Sequence, residues 1–207
     1  LKKALREIEL ANPDTLERIF GAADWGNREK FTDELLKDMI EGFSSMSLGN
    51  NDVDTDVLGD AYEYLVGKFA DVNRRNKAGE FYTPRSVVRM MVEILDPKEG
   101  ESIYDPACGT GGFLTCTIDH KRSHYVKSAE DEETLIHSIH GVEKKALPHM
   151  LCTTNMILHG IDTPTQIRHD NTLSRPYKDY GNADRVDVIV TNPPFGGTEE
   201  DGIENNF

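Results

Sequence analysis

The sequence is poor in the residues on which metal, disulfide and membrane chemistry depend. Cys108, Cys116 and Cys152 are its only cysteines. Three is an odd number, and no C-x-x-C spacing occurs, so neither a zinc site nor a disulfide framework is expected. Among the seven histidines, His120 and His124 have helical i, i+4 spacing with His137 and His140 nearby. No H-E-x-x-H pattern supports them, so they read as surface or partly buried side chains and no metal ion is expected. Long apolar runs are missing, which excludes a membrane-spanning helix. No charged-then-apolar leader opens the chain, so a soluble, cytoplasmic protein is expected. Positive charge is also scarce: 23 Lys and Arg stand against 37 Asp and Glu, a net charge of −14. With a pI near 4.9, such a chain is not built to grip a polyanion unaided, because Lys and Arg supply most phosphate affinity. The run Glu130-Asp131-Glu132-Glu133 reads as a solvated helix start.

Against these absences, Asn192-Pro193-Pro194-Phe195 is informative because it directly follows the apolar run Val186 to Val190. The pattern is a strand delivering an amide and an aromatic ring to a pocket mouth. Methyl transfer to an exocyclic amine needs acceptors for the N–H groups and a flat apolar surface for the ring. Asn192 offers a side-chain carbonyl, Pro193 a backbone carbonyl, and Phe195 the surface. A Pro-rich turn ending a strand is the plainer alternative.

Upstream, residues Ser102 to Leu114 read as a short strand, a glycine-rich turn and a helix. The strand ends at Asp105. Gly109, Thr110, Gly111 and Gly112 form the turn, where glycines permit sharp bends and close approach to a ligand, and the helix start offers free N–H groups. The spacing is neither the G-x-G-x-x-G of dinucleotide folds nor a P-loop. A ligand with a carboxylate, an amine and a ribose fits better, and the reading is S-adenosylmethionine. Glu143, ending the strand Ile136 to Val142, is placed to accept hydrogen bonds from both ribose hydroxyls.

Together, Asp105-Pro106-Ala107-Cys108-Gly109-Thr110-Gly111-Gly112 and Asn192-Pro193-Pro194-Phe195 resemble the paired signature of adenine-N6 DNA methyltransferases. Gly79-Glu80-Phe81-Tyr82-Thr83-Pro84-Arg85 is further similar to the modification subunit of type I restriction–modification systems. The likeness runs from about residue 30 to the end. It implies that Glu80, Phe81, Tyr82, Thr83, Pro84 and Arg85 close over the methionine end of the cofactor, and that Asp170 lies near its adenine amine. It also implies a double-stranded DNA substrate, a separate specificity subunit that reads the sequence, and a restriction subunit in the complex. The lack of a Pro-Cys pair agrees, since cytosine-C5 methylation needs a cysteine nucleophile there. Methylases of RNA bases or protein glutamine, which share Asn-Pro-Pro-aromatic, remain an alternative, as does an inactive methylase-like binding subunit. A turn or cap role for Asp170 before Asn171-Thr172 also stays open.

The expected organisation is α/β. A helical region with a linker, residues 1–76, precedes residues 77–207, the start of a Rossmann-like methyltransferase sheet. Asn12-Pro13 begins one helix, with Leu16, Ile19 and Phe20 at helical spacing. Leu35, Leu36, Met39, Ile40 and Phe43 make a second stripe, and Val57 to Phe69 a third; all three read as packing faces. Residues 71–79 read as a solvated linker. Thr83 is expected as an N-cap with Pro84 in the first turn, and Val87, Val88, Met91, Ile94 and Leu95 as the buried face of that helix. Strands are expected near 102–105, 136–142, 166–169 and 186–191, and helices near 112–126 and 144–159. This alternation implies a parallel sheet with ligands at its carboxyl edge. The chain opens as if inside a helix, and only Gly196 to Phe207 follow the last motif, so a piece of a longer protein is expected.

Overall fold

A computed structural model describes residues 1–16, 20, 24–47, 61–62, 64–65, 68, 83–161, 164, 166–196, 199 and 201–207. Glu80, Phe81, Tyr82, the 71–79 linker, Ile19 and most of the third stripe lie outside the described residues; Ala61, Tyr62 and Leu65 of that stripe are helical.

Among the described residues, α1 (Lys2–Ala11), α2 (Pro13–Leu16) and α3 (Asp33–Ser44) come first. Thr32 caps α3 by accepting from Leu35 N at 3.1 Å, and Asp33 and Glu34 complement the helix dipole in its first turn. Its apolar stripe forms as expected but is mostly uncovered: Leu36 is half-buried, while Phe43 is 60% exposed and Leu35, Met39 and Ile40 are also exposed. That corrects the expectation of a packing face here, because helical periodicity reports which side can be buried and not what lies against it.

The α/β part runs α4 (Arg85–Leu95), β1 (Ile103–Asp105), α5 (Gly112–His124), α6 (Ala129–Ser138), β2 (Ile139–Glu143), α7 (Ala146–Leu158), β3 (Ile167–His169) and β4 (Val188–Ile189). The four strands are parallel in the order β3-β2-β1-β4. The chain steps outward from β1 to β3 and then crosses to the other side of β1. The order therefore reverses beside β1, which is where parallel sheets open a ligand crevice at their carboxyl edge.

The core explains these elements. Ile103, Ile139 and Ile167 from three strands meet Leu114, Ile118, Cys152 and Met156 from the helices and Val88 and Val92 from α4. Each such side chain contributes roughly 1.5–3 kcal/mol by leaving water. Helix α5 is buried on most sides, which is why its sequence has little amphipathic contrast. Thr117 fits there because its hydroxyl donates to Phe113 O of its own helix at 2.8 Å.

Several boundaries differ from expectation. Pro84 rather than Thr83 is the cap of α4, and its carbonyl accepts from Val87 and Val88 N. Val88 and Val92 carry the buried face, while Val87, Ile94 and Leu95 are exposed, since α5 meets the helix one position round from the assumed stripe. The strand expected from residue 136 begins at Ile139, because α6 extends to Ser138; a capping box of Ser128 and Asp131 starts that helix. Strand β4 is only two residues long.

Candidate functional site

The glycine turn is built from the backbone outward. After β1, Cys108 N donates to Val142 O of β2 at 3.0 Å and Gly111 N to Cys108 O at 2.8 Å. Gly109 and Gly111 hold φ of 56° and 87°, a left-handed region that side chains disfavour. The two glycines face different surroundings. A Cβ on Gly109, and equally on Gly112, would meet nothing within 4 Å. A Cβ on Gly111 would lie 2.8 Å from Cys152 Sγ and 3.2 Å from Met156 Cε. Gly111 is thus required by close packing of α5 on α7, whereas Gly109 and Gly112 border open space.

Two residues outside the expected set hold this turn. Thr172 Oγ1 donates to Pro106 O at 2.6 Å and Asn155 Nδ2 to Thr110 O at 3.2 Å. A buried Asn inside the apolar run of α7 was the sequence signal for the second; Thr172 left none. Beneath the turn, the buried thiols of Cys108 and Cys152 lie 3.8 Å apart. Hydrogen bonding between them, with burial, pushes the Cys108 thiol up, so it is an inert small side chain.

Three carboxylates stand at the carboxyl ends of successive strands. Asp105, ending β1, is 1% exposed and accepts from Ala107 N at 3.0 Å. Burial pushes its carboxyl up to about 6. The neighbouring Thr191 hydroxyl is buried without a well-aligned partner. Glu143, ending β2, accepts from Gly109 N at 2.9 Å and Lys145 N at 2.7 Å. It therefore braces the turn with one oxygen and the start of α7 with the other. Asp170 follows β3, receives Asn171 N at 2.8 Å and lies 3.5 Å from Arg168. Asn171, not Asp170, caps the short 3-10 turn at Thr172–Ser174.

Strand β4 brings the amide motif to the same edge. Val188 N and Val190 N donate to Ser102 O and Tyr104 O, anchoring the strand on β1. Beyond it, Asn192 Nδ2 donates to Thr83 Oγ1 at 2.9 Å. Pro193 and Pro194 are exposed, and Phe195 is 78% exposed. Glu199 receives Lys144 Nζ at 2.7 Å and Asn171 Nδ2 at 2.9 Å. Arg85 reaches α5, donating to Thr115 Oγ1 at 3.1 Å and Asp119 Oδ2 at 3.2 Å.

The histidine reading needs one correction. His120 is 6% exposed, with Nε2 3.1 Å from Asp96 and Nδ1 3.7 Å from Glu93. It is more deeply buried than the surface or partly buried position expected and ties α5 to the C-terminal end of α4, a role hidden in sequence because Glu93 lies in the preceding helix and Asp96 caps its end. His124, with Glu93 and His120, brings side-chain ligand atoms within 4.8 Å of one another. Asp96 pairs with His120 Nε2, while His120 Nδ1, facing Glu93, is buried without a hydrogen-bond partner.

Among the described residues, no helix is long and apolar enough to cross a membrane. Comparison with known proteins agrees with the geometry. Residues 53–207 match the family model described as N-6 DNA Methylase. The chain is 56% identical over 173 residues to the type I restriction enzyme EcoEI methylase subunit of Escherichia coli, covering 84% of this chain and 34% of that protein. It is 36% identical over 166 residues to the MjaIX methylase subunit of Methanocaldococcus jannaschii, covering 79% and 27%. A solved type I restriction-modification methyltransferase subunit from Streptococcus thermophilus superposes with a TM-score of 0.73 at 26% identity, covering 94% of this chain and 40% of that one. The chain thus spans about a third of the length of the curated relatives it matches. With its glycine turn and Asn-Pro-Pro-Phe motif meeting at the reversal of a parallel sheet, the chain belongs to the N-6 DNA methylase family.

Proposed function

We propose that this chain carries the cofactor and amine-acceptor elements of an S-adenosylmethionine-dependent adenine-N6 DNA methyltransferase, the modification subunit of a type I restriction–modification complex. One observation carries the reading. Asn192 at the end of β4 and Asp105 with the glycine turn at the end of β1 sit on adjacent strands, at the point where strand order reverses.

The residues present fit the cofactor. Asp105 is a buried carboxylate suited to a cationic amine, Gly109 leaves open space beside the turn, and the first turn of α5 has no side-chain cap over its N–H groups. Glu143 and Asp170, one and two strands from Asp105 along this edge, suit the ribose hydroxyls and the adenine amine. When bound, the cofactor supplies a sulfonium-activated methyl group. The target adenine is rotated out of the duplex, as enzymes working on a base within DNA require. Phe195 offers its exposed ring for stacking. The Asn192 carbonyl and the Pro193 backbone carbonyl accept the N6 hydrogens and hold the amine lone pair toward the methyl donor. Positioning and electrostatic stabilisation supply the acceleration.

The acidic balance, −14 overall, supports division of labour in which a separate specificity subunit holds the DNA. Gel-shift titration of the full-length chain tests this. Alone it should bind duplex DNA weakly even at low salt, and with the specificity subunit tightly at one site. Tight, sequence-specific binding by the full-length chain alone would refute the division. Preference for RNA over duplex DNA would favour an RNA methylase.

A further inference from the structure

We infer that Thr83 is a positioning residue for the acceptor amide: its hydroxyl fixes the Asn192 side chain so that the carbonyl oxygen is left for the target amine. The inference rests on the reading of Asn192 given above and moves Thr83 from the cofactor to the acceptor side of the site.

The contact joins residues 109 positions apart, with Asn192 Nδ2 donating to Thr83 Oγ1 at 2.9 Å. Both ends are held by backbone chemistry. Thr83 precedes Pro84 and Asn192 precedes Pro193, and a residue before proline is confined to extended backbone. Behind Thr83, the Pro84 carbonyl takes the first amides of α4, and Arg85 fastens that helix start to Thr115 and Asp119 of α5. Behind Asn192, Val190 is tied to Tyr104 of β1 and is buried. Neither partner has backbone freedom to seek the other, so the bond forms between two preset positions.

An amide has one donor end and one acceptor end. An amine that keeps its hydrogens until late needs the acceptor end. With the NH2 group spent on Thr83, Oδ1 is the terminus that remains. Without the hydroxyl the amide can rotate and present its own N–H groups to the amine, a donor facing a donor.

The test uses the full-length chain with its specificity subunit and duplex DNA. Thr83→Val, nearly isosteric, should lower kcat about 10- to 100-fold while the KM for DNA and the calorimetric Kd for S-adenosylmethionine change less than about threefold. Thr83→Ala should match it, and Thr83→Ser should restore most of the rate. In an Asn192→Ala background, Thr83→Val should add nothing further, since there is no amide left to orient. Cofactor affinity retained in each variant shows that the site is folded. Wild-type kcat in Thr83→Val would overturn the inference, as would cofactor affinity falling in step with kcat, or a loss that multiplies with that of Asn192→Ala. Full activity in Asn192→Ala itself would overturn the reading of the acceptor site and this inference with it.

Discussion

Gly111 and Gly109 stand two residues apart in one turn, both with positive φ, yet the structure assigns them different costs on substitution. Adding a Cβ in the left-handed region costs about 1–2 kcal/mol at either position. At Gly109 (φ 56°) that is the whole cost, because nothing lies within 4 Å. At Gly111 (φ 87°) the new atom would sit 2.8 Å from Cys152 Sγ and 3.2 Å from Met156 Cε. Relieving that overlap in a close-packed core costs about 1–3 kcal/mol more. Gly111→Ala should therefore destabilise by about 2–5 kcal/mol and Gly109→Ala by about 1–2. At roughly 2–4 °C per kcal/mol for a domain of this size, the melting temperatures should separate clearly. Thermal unfolding of both variants measures this. Cys152→Ala, combined with Gly111→Ala, should recover part of the loss, with a coupling of about 1–3 kcal/mol. Calorimetry with S-adenosylmethionine should show the reverse order once folding is controlled: Gly109→Ala weakens binding directly, Gly111→Ala mainly through stability. Equal destabilisation of the two, with no coupling to Cys152, would refute the packing argument.

Asp105 gives a pH prediction whose sign is fixed by burial. Its folded pKa, about 6, lies above the usual 3.8, so the fold holds this proton more tightly than the unfolded chain does. The contribution is favourable at low pH and is lost as pH rises from about 4 through about 6, amounting to roughly 3 kcal/mol. Asp105→Asn should accordingly gain stability on the wild type at neutral pH and lose that advantage near pH 4, as read by urea unfolding; an advantage independent of pH would contradict it. Ser128→Ala removes the cap that receives Asp131 N at 3.1 Å. It should cost about 1 kcal/mol, and an unchanged unfolding midpoint would show that α6 does not need it.

Much of the site was legible because its parts are punctuation. Asp105, the glycines, Glu143 and Asn192 each fall at a strand end, where an apolar run stops and Pro, Gly or charged residues begin, and each stands at the sheet's carboxyl edge in the structure. The parallel order of the strands followed from their alternation with helices. What was not legible depends on contacts between distant segments. Helical spacing showed stripes on α3 and α4 but not which neighbour would cover them, so the α3 stripe lies mostly exposed and the α4 face is rotated. Gly111 was read as leaving room for a ligand because sequence does not reveal that Cys152 packs against it. Thr83 was read from its place before Pro84, whereas its partner lies across the site. His120 was read as surface or partly buried, whereas it is buried, because Glu93 in α4 and Asp96 at the end of that helix lie against it. Glu80, Phe81 and Tyr82 lie outside the described residues, and their part in holding the cofactor remains a proposal.

The central claim is that Asn192 serves the methyl acceptor while the glycine turn serves the cofactor. Its most direct test is Asn192→Ala in the full-length chain with its specificity subunit, with N6-methyladenine in duplex DNA measured by mass spectrometry and S-adenosylmethionine affinity measured on the same protein. The account predicts a loss of about a hundredfold or more in methylation rate with cofactor affinity nearly unchanged. Normal methylation by this variant, or loss of cofactor binding as the cause of its inactivity, would contradict it.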